Sequence, residues 1–79
     1  MRSFKTLWVV SIDTCPEYVT TTKEKAIDYA IKDMKNKNFP KKQIEFAEED
    51  LAIGIEDILN IKNYYVSYRV DKIIYSEGE

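Results

Sequence analysis

The sequence predicts a small α+β domain in which antiparallel strands form one layer and two helices pack against it. Apolar residues alternate with a period of two near both ends of the chain, and they recur at helical spacing in between. The 79 residues suffice for one domain with a modest core. The predicted order of elements is β-α-α-β, in a single domain spanning residues 1–79.

The first strand is predicted over residues 4–12, FKTLWVVSI. β-branched and aromatic residues dominate it, as is typical of strands. Its middle is apolar on both sides, which indicates a central strand that is covered on part of its second face. Asp13 and Pro16 are expected to end the strand in a loop. One side would carry Phe4, Trp8, Val10 and Ile12 together with Thr6, and the other side Lys5, Leu7, Val9 and Ser11.

A helix is predicted over residues 22–36. Thr21 and Glu24 fit a capping box, in which each side chain satisfies the other residue's backbone N–H. Lysines gather toward the C-terminal end of this segment, where the helix dipole favours positive charge. Its apolar residues recur at helical spacing: Ala26, Ile27, Ala30, Ile31 and Met34.

A second helix is predicted over about 41–59, with apolar residues on one side and acids on the other. Gly54 costs about 1 kcal/mol inside a helix, so a break near it is part of this interpretation. The alternative is a short hairpin that turns at residues 48–50, because Leu51, Ile53 and Ile55 alternate.

The second strand is predicted over residues 63–75, with Tyr65 and Arg69 on its wet side. The alternation slips after Asp71, and a β-bulge there would return Ile73 and Tyr75 to the core. Two strands alone are marginal in water. Either a third strand lies within residues 44–55, or an exposed edge strand pairs with a partner, which favours a homodimer.

The inventory of reactive groups argues against catalysis. The chain has no histidine, and its single cysteine excludes a cysteine-based zinc site. Its two glycines cannot form a phosphate-binding loop. Cys15 lies between Asp13 and Glu17, which disfavour a thiolate. We therefore expect no enzyme activity, no catalytic residue, no metal and no cofactor.

Composition also bears on location. No stretch approaches the roughly 20 apolar residues of a membrane span. The apolar run at residues 7–10 is too short for a signal peptide, and the lone cysteine suits a reducing compartment. The sequence therefore predicts a soluble protein in the cytoplasm.

Two groups of residues are candidates for binding a protein partner. Tyr65 and Arg69 share the wet side of the second strand, and these residue types are enriched in binding hot spots. The second group is the acidic run Glu48, Glu49 and Asp50, in a segment with six acids and no base between residues 43 and 61. Nucleic acid is not an expected partner, because the net charge is −2 and the aromatic RNA-recognition pattern is absent.

The layout resembles that of small uncharacterised proteins of bacteriophages and low-GC Gram-positive bacteria. The resemblance lies in LWVVSID, TTKEKAIDYAIKDM, the acidic second helix and YRVDKIIY, together with a composition rich in Lys, Ile, Asn and Tyr. It implies an accessory protein that inhibits a host defence protein by direct contact, in the host cytoplasm. Two alternatives stay open: sequestration of a nucleotide-type ligand between protomers, and a structural or assembly subunit.

Overall fold

The computed structural model describes residues 3–77 and has one four-stranded antiparallel sheet with two helices. The order of strands in the sheet is β2-β1-β4-β3, so two hairpins flank a pair of helices in the chain. The α+β class and the antiparallel sheet are confirmed. The elements are β1 Ser3–Ile12, β2 Cys15–Thr20, α1 Lys23–Asn36, α2 Lys41–Ala52, β3 Asp57–Ile61 and β4 Tyr64–Glu77.

The predicted order β-α-α-β lacks two of the strands. β2 occupies a segment predicted as a loop, and β3 occupies the end of the segment predicted as helix. No third strand lies within residues 44–55, which form α2 and the turn after it. Both missed strands are short and lie at the edges of the sheet, where Pro16 is tolerated.

The β1–β2 hairpin turns on Asp13 and Thr14, which have φ angles of 53° and 67°. A two-residue hairpin turn with positive φ at both positions matches the right-handed twist of the strands. Asp13 also bonds to the neighbouring strand: its N–H donates to Ser67 O at 2.9 Å, and its Oδ1 accepts from Ser67 N at 3.1 Å. These two bonds offset the cost of the left-handed backbone at the turn.

Helix α1 begins one residue later than the predicted cap. Thr22 is the N-cap, and its hydroxyl accepts from Lys25 N at 3.2 Å. The predicted pairing of Thr21 with Glu24 is wrong, because the residue three positions after the true cap is a lysine. Glu24 still lies in the first turn, where its charge complements the helix dipole.

A Schellman motif ends α1. Asn38 adopts a left-handed φ of 65°, its N–H donates to Lys35 O, and Phe39 N donates to Met34 O. Met34 and Phe39 are both buried in the core. The motif therefore turns the chain back over the sheet and directs α2 beside α1.

Helix α2 ends at Ala52, so the prediction of a helix to residue 59 is wrong beyond that point. Gly54 follows with a φ of 84°, its N–H donates to Leu51 O, and Ile55 N donates to Asp50 O. This is a second Schellman motif, and it needs a residue that adopts positive φ easily. Residues 48–50 are helical, so the alternative hairpin is also wrong.

We expect Gly54→Ala to lower the free energy of unfolding by about 1 kcal/mol, because alanine resists a left-handed backbone. A Cβ at this position would meet no atom within 4 Å, so the cost is one of backbone conformation alone. Gly54→Asn, which tolerates positive φ, should lose less. Chemical denaturation of the three proteins measures the difference, and equal stability of all three would contradict this account of the helix end.

The core lies between the helices and one face of the sheet, which we call the helix face. Three alanines of the helices are fully buried and allow close approach to the sheet. Tyr18 of β2 stacks on Tyr29 of α1 with ring centroids 4.3 Å apart, which fixes α1 over the edge of the sheet. The buried residues of this core are Val10, Ile12, Ala26, Ala30, Met34, Phe39, Ile44, Ala47, Leu51, Leu59, Val66, Tyr68 and Val70.

Strand β4 runs without the predicted bulge at residues 71–72. It pairs with β1 in one unbroken register from Ser3↔Glu77 to Ile12↔Tyr68. The register shift in this sheet lies instead between Val10 and Ser11, where β1 pairs with β2. Because the register is unbroken, Ile73 and Tyr75 stay on the face away from the helices. No core extends to that end of the strand.

The far ends of β1 and β4 extend beyond the rest of the sheet and form a two-stranded ribbon. We call residues 3–7 of β1 and residues 73–77 of β4 the arm. Pairing with β2 begins at Trp8, and pairing with β3 ends at Tyr68, so no third strand accompanies the arm. The arm contributes to the elongated shape of the molecule, 53 × 20 × 18 Å.

Candidate functional site

The sheet face opposite the helices has no covering layer among residues 3–77, and we call it the open face. Side chains alternate along each strand, so the pairing registers assign its members. Along β4 it extends over about 34 Å from Tyr65 to Tyr75. Its residues are Lys5, Leu7, Val9, Ser11, Val19, Ile58, Asn60, Tyr65, Ser67, Arg69, Asp71, Ile73 and Tyr75.

One end of the open face is apolar. Leu7 and Ile73 are direct cross-strand partners, and Val9 lies opposite Val19 on its other side. Val9 is only 9% exposed although no helix covers it, whereas Ile73 is 46% exposed and Val19 53%. These side chains shield one another and leave a continuous apolar strip at the surface, of the kind that marks interaction sites.

The centre of the open face is polar. Arg69 Nε donates to Asp71 Oδ1 at 3.0 Å, and both side chains are about half exposed. The terminal nitrogens of Arg69 make no hydrogen bond or ion pair within residues 3–77, so they remain available to an acceptor. A cavity of about 90 Å³ lies beside the pair, lined by Ser11, Thr14, Glu56, Arg69 and Asp71.

The two groups of residues predicted to bind a partner lie on opposite layers of the fold. Tyr65, which is 59% exposed, and Arg69 are on the open face as expected. Glu48, Glu49 and Asp50 are on α2, which packs on the helix face. The structure therefore divides the five residues into two surfaces and brings only Tyr65 and Arg69 together.

The apolar strip is the part of the open face that sequence reasoning missed. Ile73 and Tyr75 were assigned to the core through a bulge that the structure does not contain. Val19 was placed in a loop because β2 was not predicted. Strict strand parity counted from Tyr65, with no bulge at the slip after Asp71, would have placed Ile73 and Tyr75 on the open face.

Of the three acids of α2 predicted to bind a partner, Glu48 and Glu49 are exposed, and Asp50 is half-buried beside Asp57 at the start of β3. Burial raises the pKa of the Asp57 carboxyl, and a hydrogen bond with Asp50 and the negative charge of Asp50 act in the same direction. The N–H of Ile58, which donates to Asp57 Oδ1 at 2.9 Å, opposes this rise in pKa. The proximity of Asp50 and Asp57 therefore lowers the free energy of unfolding at neutral pH.

We expect Asp57→Asn to raise the free energy of unfolding at pH 7 by a few tenths to about 1 kcal/mol. In the native protein Asp57 binds a proton more tightly than in the unfolded chain, so wild-type stability falls as pH rises above the ordinary carboxyl pKa. The advantage of Asp57→Asn should therefore shrink as the pH approaches about 4. Urea denaturation at both pH values measures it, with Glu49→Gln as the control, and a gain that grows on acidification would contradict it.

A separate cleft lies where the arm meets the helices. It has a volume of about 420 Å³ and is walled by Trp8, Leu51, Ile53 and Val70 among other residues. The ammonium groups of Lys23 and Lys72 lie 5.6 and 5.9 Å from the centroid of the Trp8 ring. Lys23 Nζ also donates to Ala52 O at the end of α2. The cleft therefore combines an indole, two cations and the Asp71 carboxylate with an apolar wall.

A groove of about 520 Å³ runs between the two helices. Its floor is formed by Ile31, Phe39 and Ile44, and Glu48 lies on its rim. Two lysines and two glutamates line the groove, so it has no single sign of charge. Glu48 thus borders an apolar surface distinct from the open face.

Two further findings concern residues 3–77 as a whole. They contain no cluster of three or more acidic or cysteine side chains suited to a metal ion. Neither α1 nor α2 has the length and apolar composition of a membrane-spanning helix. Compared with known proteins, the chain matches no family model, no curated protein and no solved structure.

Proposed function

We propose that this protein is a non-catalytic binding module that engages a protein partner through the open face. The observation that carries the proposal is the uncovered sheet face itself, with an apolar strip at one end and Arg69 and Tyr65 beyond it. A two-layer fold normally leaves the outer face of its sheet polar. Here Ile73, Tyr75 and Val19 are 46%, 40% and 53% exposed on that face.

The composition of the open face supports a protein as the partner. Protein interfaces combine an apolar centre with a polar rim and are enriched in tyrosine and arginine. Tyr65 and Tyr75 lie at the two ends of the face, and Arg69 lies between them with its terminal nitrogens available. The β3 residue Ile58, which is 63% exposed, adds an apolar side chain beside Ser67, apart from the apolar strip.

The resemblance to bacteriophage accessory proteins extends the proposal to the partner. We propose that the chain is phage-encoded, acts in the host cytoplasm and blocks a host defence protein by covering its surface. The support for this part is the likeness in layout and composition described above. A contact of this kind requires shape and affinity but no reactive group, which is consistent with a chain that has no histidine.

The test compares the two predicted surfaces directly. Tagged wild type, the open-face variant Tyr65→Ala/Arg69→Glu and the α2 variant Glu48→Gln/Glu49→Gln are used to capture proteins from a Gram-positive lysate. We expect a protein that wild type and the α2 variant retain and the open-face variant loses. With that protein purified, the open-face variant should bind at least about 30-fold more weakly, as loss of a hot spot predicts.

Two results would reject the open face as the binding surface. One is equal capture by the open-face variant and wild type. The other is selective loss in the α2 variant, which would transfer the site to Glu48 and Glu49. All four substituted side chains are exposed, so each variant should keep the thermal stability of wild type.

A second candidate function is sequestration of a nucleotide-type ligand, and the cleft at Trp8 is the observation that favours it. Its volume of about 420 Å³ falls within the range of small-molecule sites. The two ammonium groups suit a phosphate, and the apolar wall suits a base. Nucleoside monophosphates should then raise the melting temperature of wild type but not of Lys72→Gln, with Lys62→Gln as the matched control. A flat response from wild type would remove this function.

We also propose that the chain forms a homodimer through an edge strand. The support is that the pairing registers leave long stretches of β1 and β4 without a neighbour on one side. Unpaired strand edges are templates for pairing with another chain. The native mass in solution tests this proposal.

A further inference from the structure

The arm has exposed apolar side chains on both of its faces. On the helix-face side, Phe4 is 68% exposed and Ile74 is 59% exposed. On the open-face side, Ile73 and Tyr75 are 46% and 40% exposed. The helices end before the arm begins, so neither face of the arm has a covering layer within residues 3–77.

Both edges of the arm are also unpaired, and they differ in length and charge. The free edge of β1 spans residues 3–7 and has Lys5 at its centre. The free edge of β4 begins after Tyr68, where pairing with β3 ends, and continues to the end of the strand. Its outer part, residues 73–76, carries no charge. The edge of β4 is thus the longer of the two, and its charged residues Arg69, Asp71 and Lys72 precede an uncharged outer part, whereas the edge of β1 has a lysine at its centre.

A two-stranded ribbon is marginally stable in water, whereas three or more strands with an apolar face can be stable. The pairing of two arms through β4 would give a four-stranded sheet and satisfy the unpaired backbone groups along the β4 edge of each arm. An antiparallel pair of identical strands is related by a two-fold axis perpendicular to the sheet. The axis passes midway between the two copies of one residue, so that residue faces its own copy.

We propose that the edge of β4 in the arm pairs antiparallel with the same edge of a second copy of this chain, with the two-fold axis within residues 72–76. This inference rests on the edge-strand dimer proposed above and deepens it by naming the strand, the edge and the symmetry. The two-fold axis leaves both pairs of helices on one side of an eight-stranded sheet. Both open faces then form one surface on the other side.

The exposed apolar side chains of the arm supply about half of the area that a standard interface buries. Phe4, Ile73, Ile74 and Tyr75 together expose roughly 400 Å² per protomer, taking about 200 Å² for each fully exposed side chain. A standard interface buries about 800 Å² per partner. The paired backbone and the lysine stems near the axis would have to supply the remainder, so we expect a dimer of micromolar rather than nanomolar affinity.

The first test is the native mass of wild type over a wide range of concentration, measured in reductant because Cys15 is exposed. We expect a dimer that dissociates on dilution. Ile74→Lys places a charge on the outer part of β4 and should give a monomer. Ile58→Lys is the matched control and should remain dimeric. Ile58 is 63% exposed on β3, an edge strand that the proposed interface does not include.

The second test locates the axis by cysteine scanning. Residues 72–76 are changed to cysteine one at a time in a Cys15→Ser background. Moving one residue from the axis separates the two copies by a further 7 Å or so along the strands. A disulfide requires Cα atoms within about 7 Å, so we expect one position to cross-link to its own copy and its neighbours to fail.

The proposal is overturned by a wild type that is monomeric at every concentration, by dissociation in Ile58→Lys, or by cross-linking without a preferred position. The capture experiment keeps this inference separate from the open-face proposal. If Ile74→Lys is monomeric and still retains the partner, the dimer exists but is not needed for binding. If wild type is dimeric and captures nothing specific to the open face, the dimer stands and the binding proposal fails.

Discussion

Tyr68→Ala is expected to lower the free energy of unfolding by about 3–5 kcal/mol, as for other buried aromatic residues. Tyr68 is fully buried and is the largest of the fully buried side chains in residues 3–77. A chain of 79 residues has a total stability of about 4–12 kcal/mol, so this variant should be partly or wholly unfolded at 25 °C. Far-UV circular dichroism and urea denaturation measure the effect, and a cooperative transition within about 1 kcal/mol of wild type would contradict it.

Tyr68→Phe removes the hydroxyl and keeps the ring, so it separates the contributions of the two to stability. The hydroxyl donates to Asp33 Oδ2 at 2.6 Å, and Asp33 also forms an ion pair with Lys37. Because Asp33 is partly exposed and keeps Lys37, we expect the loss of the hydroxyl to cost only about 1–2 kcal/mol. The ring therefore accounts for the larger part of the effect of Tyr68→Ala.

The same hydroxyl makes stability depend on alkaline pH. Burial raises the pKa of the Tyr68 phenol well above its ordinary value, and the hydrogen bond to Asp33 and the charge of Asp33 raise it further. Above about pH 10 the unfolded chain loses this proton while the native protein keeps it, so the free energy of unfolding falls as pH rises. Tyr68→Phe should show a shallower decline over that range.

Met34→Ala is expected to have the second largest effect, toward the upper part of the 2–5 kcal/mol range for buried residues of this size. Met34 is fully buried on α1, and its carbonyl accepts from Phe39 N in the turn toward α2. It does not line any of the described cavities, so the space left by truncation would be closed to water. Thermal and urea denaturation measure the loss.

Leu51→Ala and Met34→Leu are the controls for this prediction. Leu51 is 1% exposed but borders the cleft at Trp8, so water and neighbouring side chains can enter the space it leaves. We expect Leu51→Ala to cost less than Met34→Ala, and Met34→Leu to cost under about 1.5 kcal/mol because its volume is conserved. A larger loss of stability in Leu51→Ala than in Met34→Ala would show that the cleft does not help to fill the space left by Leu51.

The elements predicted correctly are those with long and uniform patterns. Strand β1 and the start of β4 alternate over many residues, and α1 keeps helical spacing for four turns. Strand β2 has no such pattern: CPEYVT is short, contains Pro16 and buries little, and its existence depends on the turn at Asp13 and Thr14. That turn lacks the glycine typical of two-residue hairpin turns, so the sequence predicts a loop there but not a hairpin.

Gly54 shows why the boundary of α2 was missed. The sequence interpretation treats Gly54 as an unfavourable residue inside a helix, at a cost of about 1 kcal/mol. In the structure Gly54 lies just past the end of α2, where a positive φ is needed. The apolar spacing continues to Ile58 because Ile55 and Ile58 are exposed residues that happen to fall in phase. Periodicity alone cannot separate such residues from a buried stripe.

The candidate site could be predicted only in part, for a related reason. Alternation assigned Tyr65 and Arg69 to a wet face correctly, since that assignment depends on one strand alone. Whether Glu48 joins them depends on which side of the sheet α2 occupies, and that is decided by packing of Ala47 and Leu51 in the core. The apolar strip needs β1, β2 and β4 in register, which a single sequence does not specify.

Trp8 is the only tryptophan of the chain and lies at the root of the arm, opposite Lys72 on the adjacent strand. Indole emission responds to the polarity and electric field around the ring, and the ammonium groups of Lys23 and Lys72 lie 5.6 and 5.9 Å from its centroid. The molecule therefore carries its single indole at the junction of the arm and the helices, where pairing of the arm is expected to change its surroundings. Intrinsic fluorescence can follow assembly in real time without any attached dye.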